Sequence, residues 1–183
     1  FRNEFVLSGA DVLLRLVLMW LILLPIDEKK NEPAGRMDGA LYRGPETIGY
    51  TLQVFSLYFF AAWIKLQVPE WNSGEGVAYA LWTESFGSRL GLLLRTASPE
   101  VLGFFNHLTL GIEGVIPFLI FVPLLGRLTE KLRLLLALTF IGFHASFFLF
   151  LDIGIFPFVG AIIWIPFLPP VFWQGVDRIR ALR

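Results

Sequence analysis

The sequence predicts an all-α integral membrane protein: a bundle of about five transmembrane helices, with an amphipathic surface helix between the second and third. Three observations carry this. Of 183 residues, 56% are hydrophobic and only 16% charged, where soluble domains carry about 25% charged residues. The charges cluster between apolar runs. Those runs lie at roughly 7–26, 47–65, 101–125, 132–151 and 154–173, each close to the ~20 residues a helix needs to cross hydrocarbon. Backbone groups in lipid must bond within their own segment, so helices are the form open to such runs.

The first run, "LSGADVLLRLVLMWLILLP", carries Asp11 and Arg15 at i and i+4, on one helix face near its outer end. No basic leader followed by a cleavage site precedes it, so it reads as a span rather than a signal peptide. A polar loop, "DEKKNEPAGRMDGALYRGPE", leads to the second run, which closes on "YFFAAWIKLQVPEW". Lys65 stands where that run stops. By position it suits a snorkelling anchor. Alternatively, desolvation at an apolar mouth makes a lysine a usable base. The surface segment spans about 75–95. In it Ala78, Leu81, Trp82, Phe86, Leu90 and Leu93 recur at helical spacing, and Glu84, Ser88 and Arg95 take other faces.

The third run places Glu113 near its centre, between Gly111 and Gly114 and ahead of Pro117. Glycines let a neighbouring helix approach, and proline frees a carbonyl one turn back. His107 precedes Glu113 by a step of about 240°, so the two take different faces. His144 lies inside the fourth run, and "IGIFPF" opens the fifth. Counted from the outer ends, Arg15 and His144 are about eight residues deep, His107 about six and Glu113 about twelve, a spread under ~10 Å. Arg15, His107, Glu113 and His144, with Asp11 beside Arg15, are therefore expected to form one buried polar layer. That layer serves either as interhelical glue or as the lining of a cavity.

Lysines and arginines divide unevenly between the two sides. Lys29, Lys30, Arg36, Arg43, Arg127, Lys131, Arg133, Arg178, Arg180 and Arg183 fall on one side. Arg2, Lys65, Arg89 and Arg95 fall on the other. The bias predicts the C-terminus in the cytoplasm and Lys65 with segment 66–99 on the outer face; a bacterial inner membrane, with that face periplasmic, is the expected location. Zero net charge gives no support to nucleic-acid binding. The absence of cysteine excludes disulfides and thiolate chemistry, and two histidines argue against a metal centre.

Several stretches together resemble the horizontally transferred transmembrane (HTTM) domain, shared by vitamin K-dependent gamma-glutamyl carboxylases and many bacterial membrane proteins. They are "LSGADVLLRLVLMWLILLP", "YFFAAWIKLQVPEWNSGEGVAYAL", "FFNHLTLGIEGVIPFLIFVP" and "FIGFHASFFLFLDIGIFPFVGAIIWIPFLPPVFW". The resemblance implies that Lys65 matches the base that starts oxidation of reduced vitamin K. In those enzymes the oxidised intermediate then takes a proton from a peptide glutamate, and carbon dioxide adds. It also implies that His107, Glu113 and His144 line the bundle interior. The chain departs from the family in three ways. Its lysine-to-tryptophan spacing is one residue longer, the first spans are missing, and so is the large soluble domain, so a truncated relative is expected.

Two functions follow as expectations. The first is an accessory subunit, packed by its aromatic faces against other integral membrane subunits of a respiratory or photosynthetic complex. The second is a carboxylase-like enzyme or a protein that binds quinone or isoprenoid lipid, with Lys65 as base. Bound quinone, lipid or pigment and the surrounding membrane lipids are the expected contacts. A proton path through Glu113 and His144 has suitable residue types but lacks paired discontinuous segments.

Overall fold

Proline punctuates this chain. Pro45, Pro69, Pro99 and Pro170 each open a helix, at the turn where a missing N–H leaves no bond unmade. The fold is described from a computed structural model over residues 9–24, 45–83, 86–121 and 127–181. These residues form α1 (Gly9–Leu23), α2 (Pro45–Leu66), α3 (Pro69–Asn72), α4 (Gly76–Trp82), α5 (Arg89–Leu94) and α6 (Pro99–Gly114). After a 3₁₀ segment, Ile116–Phe121, follow α7 (Arg127–Phe150), α8 (Phe156–Ile162), a 3₁₀ turn, Ile165–Phe167, and α9 (Pro170–Ala181). Among the described residues the chain is helical, with no strand beyond a single bridge between Gly87 and Leu151. Residues Arg2, Lys29, Lys30, Arg36, Arg43, Glu84 and Arg183, with the polar loop, lie outside the described residues.

Among the described residues three helices are long and apolar enough to cross a membrane: Pro45–Leu66, Pro99–Phe121 and Leu128–Phe150. Only 22%, 22% and 28% of their apolar windows are buried, so most of that surface faces outward, as in a protein compatible with a bilayer. The expected fifth span, 154–173, is not one straight helix. Segments 156–167 and 170–180 meet at 101°. The cause is local: Leu168 is extended ahead of Pro169 (φ −64°, ψ 125°), the conformation a following proline imposes.

The bundle is knit along one stripe of α2. Tyr50, Val54, Tyr58 and Ala62 are buried at four-residue spacing and face α6, α7 and the α8 segment. At its centre Phe140 stacks on Trp164, with ring centroids 4.1 Å apart and planes 3° from parallel. A β-carbon on Gly114 would rest 3.4 Å from that of Ala62, in van der Waals contact, so α2 and α6 pack closely at this point. Pro117 cannot donate to the Glu113 carbonyl, and α6 gives way there to the 3₁₀ segment.

Segment 75–95 is not the single surface helix expected. Thr83 leaves α4 in an extended conformation, and the chain then pairs with the end of α7. The Asp152 N–H donates to the Phe86 carbonyl at 2.8 Å. Ser88 caps α5, accepting from the Gly91 N–H at 2.9 Å and donating to the Leu149 carbonyl at 2.7 Å. A side chain at Gly91 would overlap the Phe150 carbonyl. Arg95 ties both pieces together, donating to the Leu81 carbonyl and stacking its guanidinium 5.4 Å from the Trp82 ring. The segment thus packs as a wall, with α4 on α6 and α5 on α7.

Candidate functional site

Lys65 occupies the last turn of α2. Val68 is extended before Pro69, which stops the helix and turns the chain into α3. Two amides hold this turn. Asn72 Nδ2 donates to the Leu66 carbonyl at 2.9 Å, and Asn106 Nδ2 of α6 donates to the Trp71 carbonyl at 2.9 Å. The exit from α3 passes through Gly74 at φ +90°, a left-handed conformation that glycine adopts without strain. The Trp71 ring is thereby held 5.2 Å from Lys65 Nζ, within cation–π range.

Glu113 comes to Lys65 from the far end of α6, about 21 Å along that helix from Pro99. The two meet at 2.5 Å, Nζ to Oε2, with side-chain exposures of 23% and 5%. The sequence placed Lys65 at the outer boundary and Glu113 at mid-depth. They meet because α3 to α5 stand over the end of α2, beside the first turns of α6. Lys65 reaches a cavity of about 460 Å³, walled by Trp71, Leu81, Phe105, Ile112, Phe147 and Phe150 among others, while Glu113 backs the ammonium from behind the lining. Among the described residues Lys65 is the only charged one in that lining. The Ser146 hydroxyl, also in the lining, is engaged with the Phe143 carbonyl at 2.6 Å. The volume lies in the range of small-molecule sites, and the pair is neutral overall, so the cavity holds hydrogen-bonding groups without net charge.

A second polar group lies two turns earlier on α2. Trp164 Nε1 donates to the Tyr58 hydroxyl oxygen at 2.8 Å, and that hydroxyl is 2.8 Å from His144 Nε2. Indole nitrogen can only donate, so the Tyr58 oxygen accepts from Trp164 and its remaining hydrogen-bonding capacity goes to His144 Nε2. His144 Nδ1 has no hydrogen-bond partner among the described residues. The imidazole lies directly on Gly160, where a β-carbon would overlap it. At the start of α2, a second cavity of about 370 Å³ is lined by Thr47, Thr51, Arg133, Trp164, Pro166 and Phe167 among others. Tyr50 beside it donates to the Ile163 carbonyl at 2.5 Å.

The predicted single polar layer does not form. Glu113 and His144 are buried, at 4% and 1% exposure, but in separate groups, one with Lys65 and the other with Tyr58. His107 is exposed, and its Nδ1 donates to the Gly103 carbonyl of its own helix at 2.7 Å. The 240° step from Glu113 turns it away. Arg15 is exposed as well, because it lies about 200° round α1 from buried Leu13. Asp11 is half-buried and engaged. Tyr58, Trp164 and Asn106 were not singled out in the sequence. The usable signal was a tyrosine inside an apolar run, whose hydroxyl demands a partner once buried.

Among the described residues no group of three or more His, Asp or Glu side chains is placed to hold a metal ion. The chain matches no protein-family model, no curated protein and no solved structure.

Proposed function

We propose that the chain is an integral membrane protein that binds a neutral amphipathic molecule of the quinone or isoprenoid-lipid class. Its apolar body fills the 460 Å³ cavity, and its polar head meets Lys65. The observation that carries this is Lys65, the one charged side chain among the described residues lining the cavity, neutralised by Glu113 just behind it. An anionic head would leave a net negative charge in apolar surroundings, which is costly, whereas a carbonyl or hydroxyl head takes hydrogen bonds from the pair at no such cost. The same pair supplies the proton chemistry. Transfer from Nζ to Oε2 leaves a free amine facing the cavity, able to accept a proton from a bound ligand's hydroxyl. The resemblance to the HTTM domain, in which Lys65 matches the base, supports the same reading. In this reading α1, α2, α6 with its 3₁₀ extension, α7 and the α8 segment make about five crossings of a bacterial inner membrane, with the C-terminus cytoplasmic.

The test is binding by the purified full chain in lipid nanodiscs. A short-tailed menaquinone serves as probe and quenching of tryptophan fluorescence as readout. Saturable binding is expected, weakened at least about tenfold in Lys65→Ala, the loss of roughly one charge-assisted hydrogen bond. Gly142→Leu is expected to abolish it, because a β-carbon at Gly142 meets open space on the cavity side. Wild-type affinity in both variants overturns the proposal. A second reading, an accessory subunit, draws on the outward apolar surface of the three long helices. It predicts that other integral subunits co-purify from the native membrane, and a monodisperse lone chain argues against it.

A further inference from the structure

The last helix does not behave like the others. None of the side chains of α9 from Val171 to Arg180 is buried, and α9 packs extensively against no other described element. Its residues are two-sided. At 100° per residue Phe172, Val176 and Ile179 fall within about 60° of one another, with Trp173 on their border. Gln174, Asp177 and Arg178 take the opposite side, and Arg180 sits at the edge near Trp173. Such a helix has too many polar groups to cross hydrocarbon and too many apolar ones to stand in water. Its composition is that of helices that lie in a membrane interface.

Its position agrees. Pro166 and Phe167, just ahead of α9, line the cavity that also includes Thr47 of α2 and Thr129 and Arg133 of α7. The helix therefore leaves the bundle at the end where α2 and α7 begin, and the 101° bend lays it across that end. Resting on the membrane reading above, the geometry points to α9 as an interfacial helix that binds a lipid surface containing anionic phospholipid. Phe172, Trp173, Val176 and Ile179 sink into the headgroup boundary, Arg180 takes a lipid phosphate at its rim, and Arg178 on the far side adds longer-range attraction to the anionic surface. Asp177 remains on the water side.

The chain has no cysteine, so single labels report cleanly. The full chain carries an environment-sensitive fluorophore at Val176→Cys, Ile179→Cys, Gln174→Cys or, as a control on outward α2, Phe60→Cys. Each is reconstituted at one copy per nanodisc, in zwitterionic lipid alone or mixed with anionic phospholipid. We expect positions 176 and 179 to be quenched equally by a shallow lipid-borne quencher, and position 174 by aqueous iodide. Arg178→Gln with Arg180→Gln is expected to shift the ratio of lipid to water quenching by roughly 30-fold in the anionic discs, roughly fivefold for each arginine. Depth that rises steadily along the helix makes α9 part of a crossing and overturns the proposal. Shielding of 174 as well, which a second copy or a protein partner would cause, also overturns it. Equal behaviour in both lipid mixtures removes the anionic headgroup. Water quenching at 176 and 179 with Phe60 still in lipid refutes the interfacial helix alone, whereas water quenching at Phe60 refutes the membrane reading itself.

Discussion

Lys65→Met and Glu113→Leu, singly and together, probe the ion pair most sharply. The structure ranks the outcomes in advance. Lys65→Met leaves a carboxylate that is 5% exposed, while Glu113→Leu leaves an ammonium that is 23% exposed and lies 5.2 Å from the Trp71 ring. Breaking a buried pair by removing one partner costs about 3–5 kcal/mol. The lysine change should therefore cost about 3 kcal/mol and the glutamate change, relieved by solvent and the indole face, about 2 kcal/mol. The double variant replaces both charges by apolar groups and should stay within about 1 kcal/mol of the parent. The coupling is then about 4 kcal/mol or more, well above the scatter of additive sites. Unfolding in mixed micelles, followed by circular dichroism as the denaturing detergent fraction rises, gives the four stabilities. Additive losses, or a glutamate change costlier than the lysine change, would refute the reasoning.

Other predictions concern the supporting structure. Tyr58→Phe strands Trp164 Nε1 and His144 Nε2 and should cost about 3 kcal/mol by the same assay, at roughly 1–3 kcal/mol for each orphaned group; a loss under about 0.5 kcal/mol would show that water replaces the hydroxyl. Gly91→Ala drives a methyl into the Phe150 carbonyl, so the α4–α5 wall should lift. Amide hydrogen exchange at 86–95 should then rise more than tenfold with little change along α2. Trp71→Ala removes one wall of the cavity and the cation–π partner of Lys65; ligand affinity should fall about tenfold while global stability changes by less than about 1 kcal/mol.

How far the sequence reached depended on the range of the forces concerned. Run length and apolar composition locate α2, α6 and α7 closely, since hydrophobic transfer acts residue by residue. Glu113 stood out because a carboxylate in an apolar run demands a partner. Which partner was not legible. The prolines at 69 and 99 and the three short helices between α2 and α6 set how far α6 rises past the end of α2, and no periodicity encodes that offset. The same local rules undid two expectations. Pro169 and Pro170 break a run that composition reads as continuous, and the pairing of Phe86 and Gly87 with the end of α7 splits a segment of helical spacing. His144 is buried, yet its partner Tyr58 was passed over because aromatic residues in an apolar run first suggest packing alone.

The central claim is that Lys65 and Glu113 head a ligand cavity rather than merely clamp two helices. Photolabelling tests it most directly, with a neutral prenylated quinone bearing a diazirine near its head, applied to the full chain in nanodiscs. Adducts are expected on Trp71, Phe105 and Phe147, suppressed by excess unlabelled quinone and lost in Gly142→Leu. Adducts confined to outward side chains such as Phe60 and Ile64, unaffected by competitor, would contradict it.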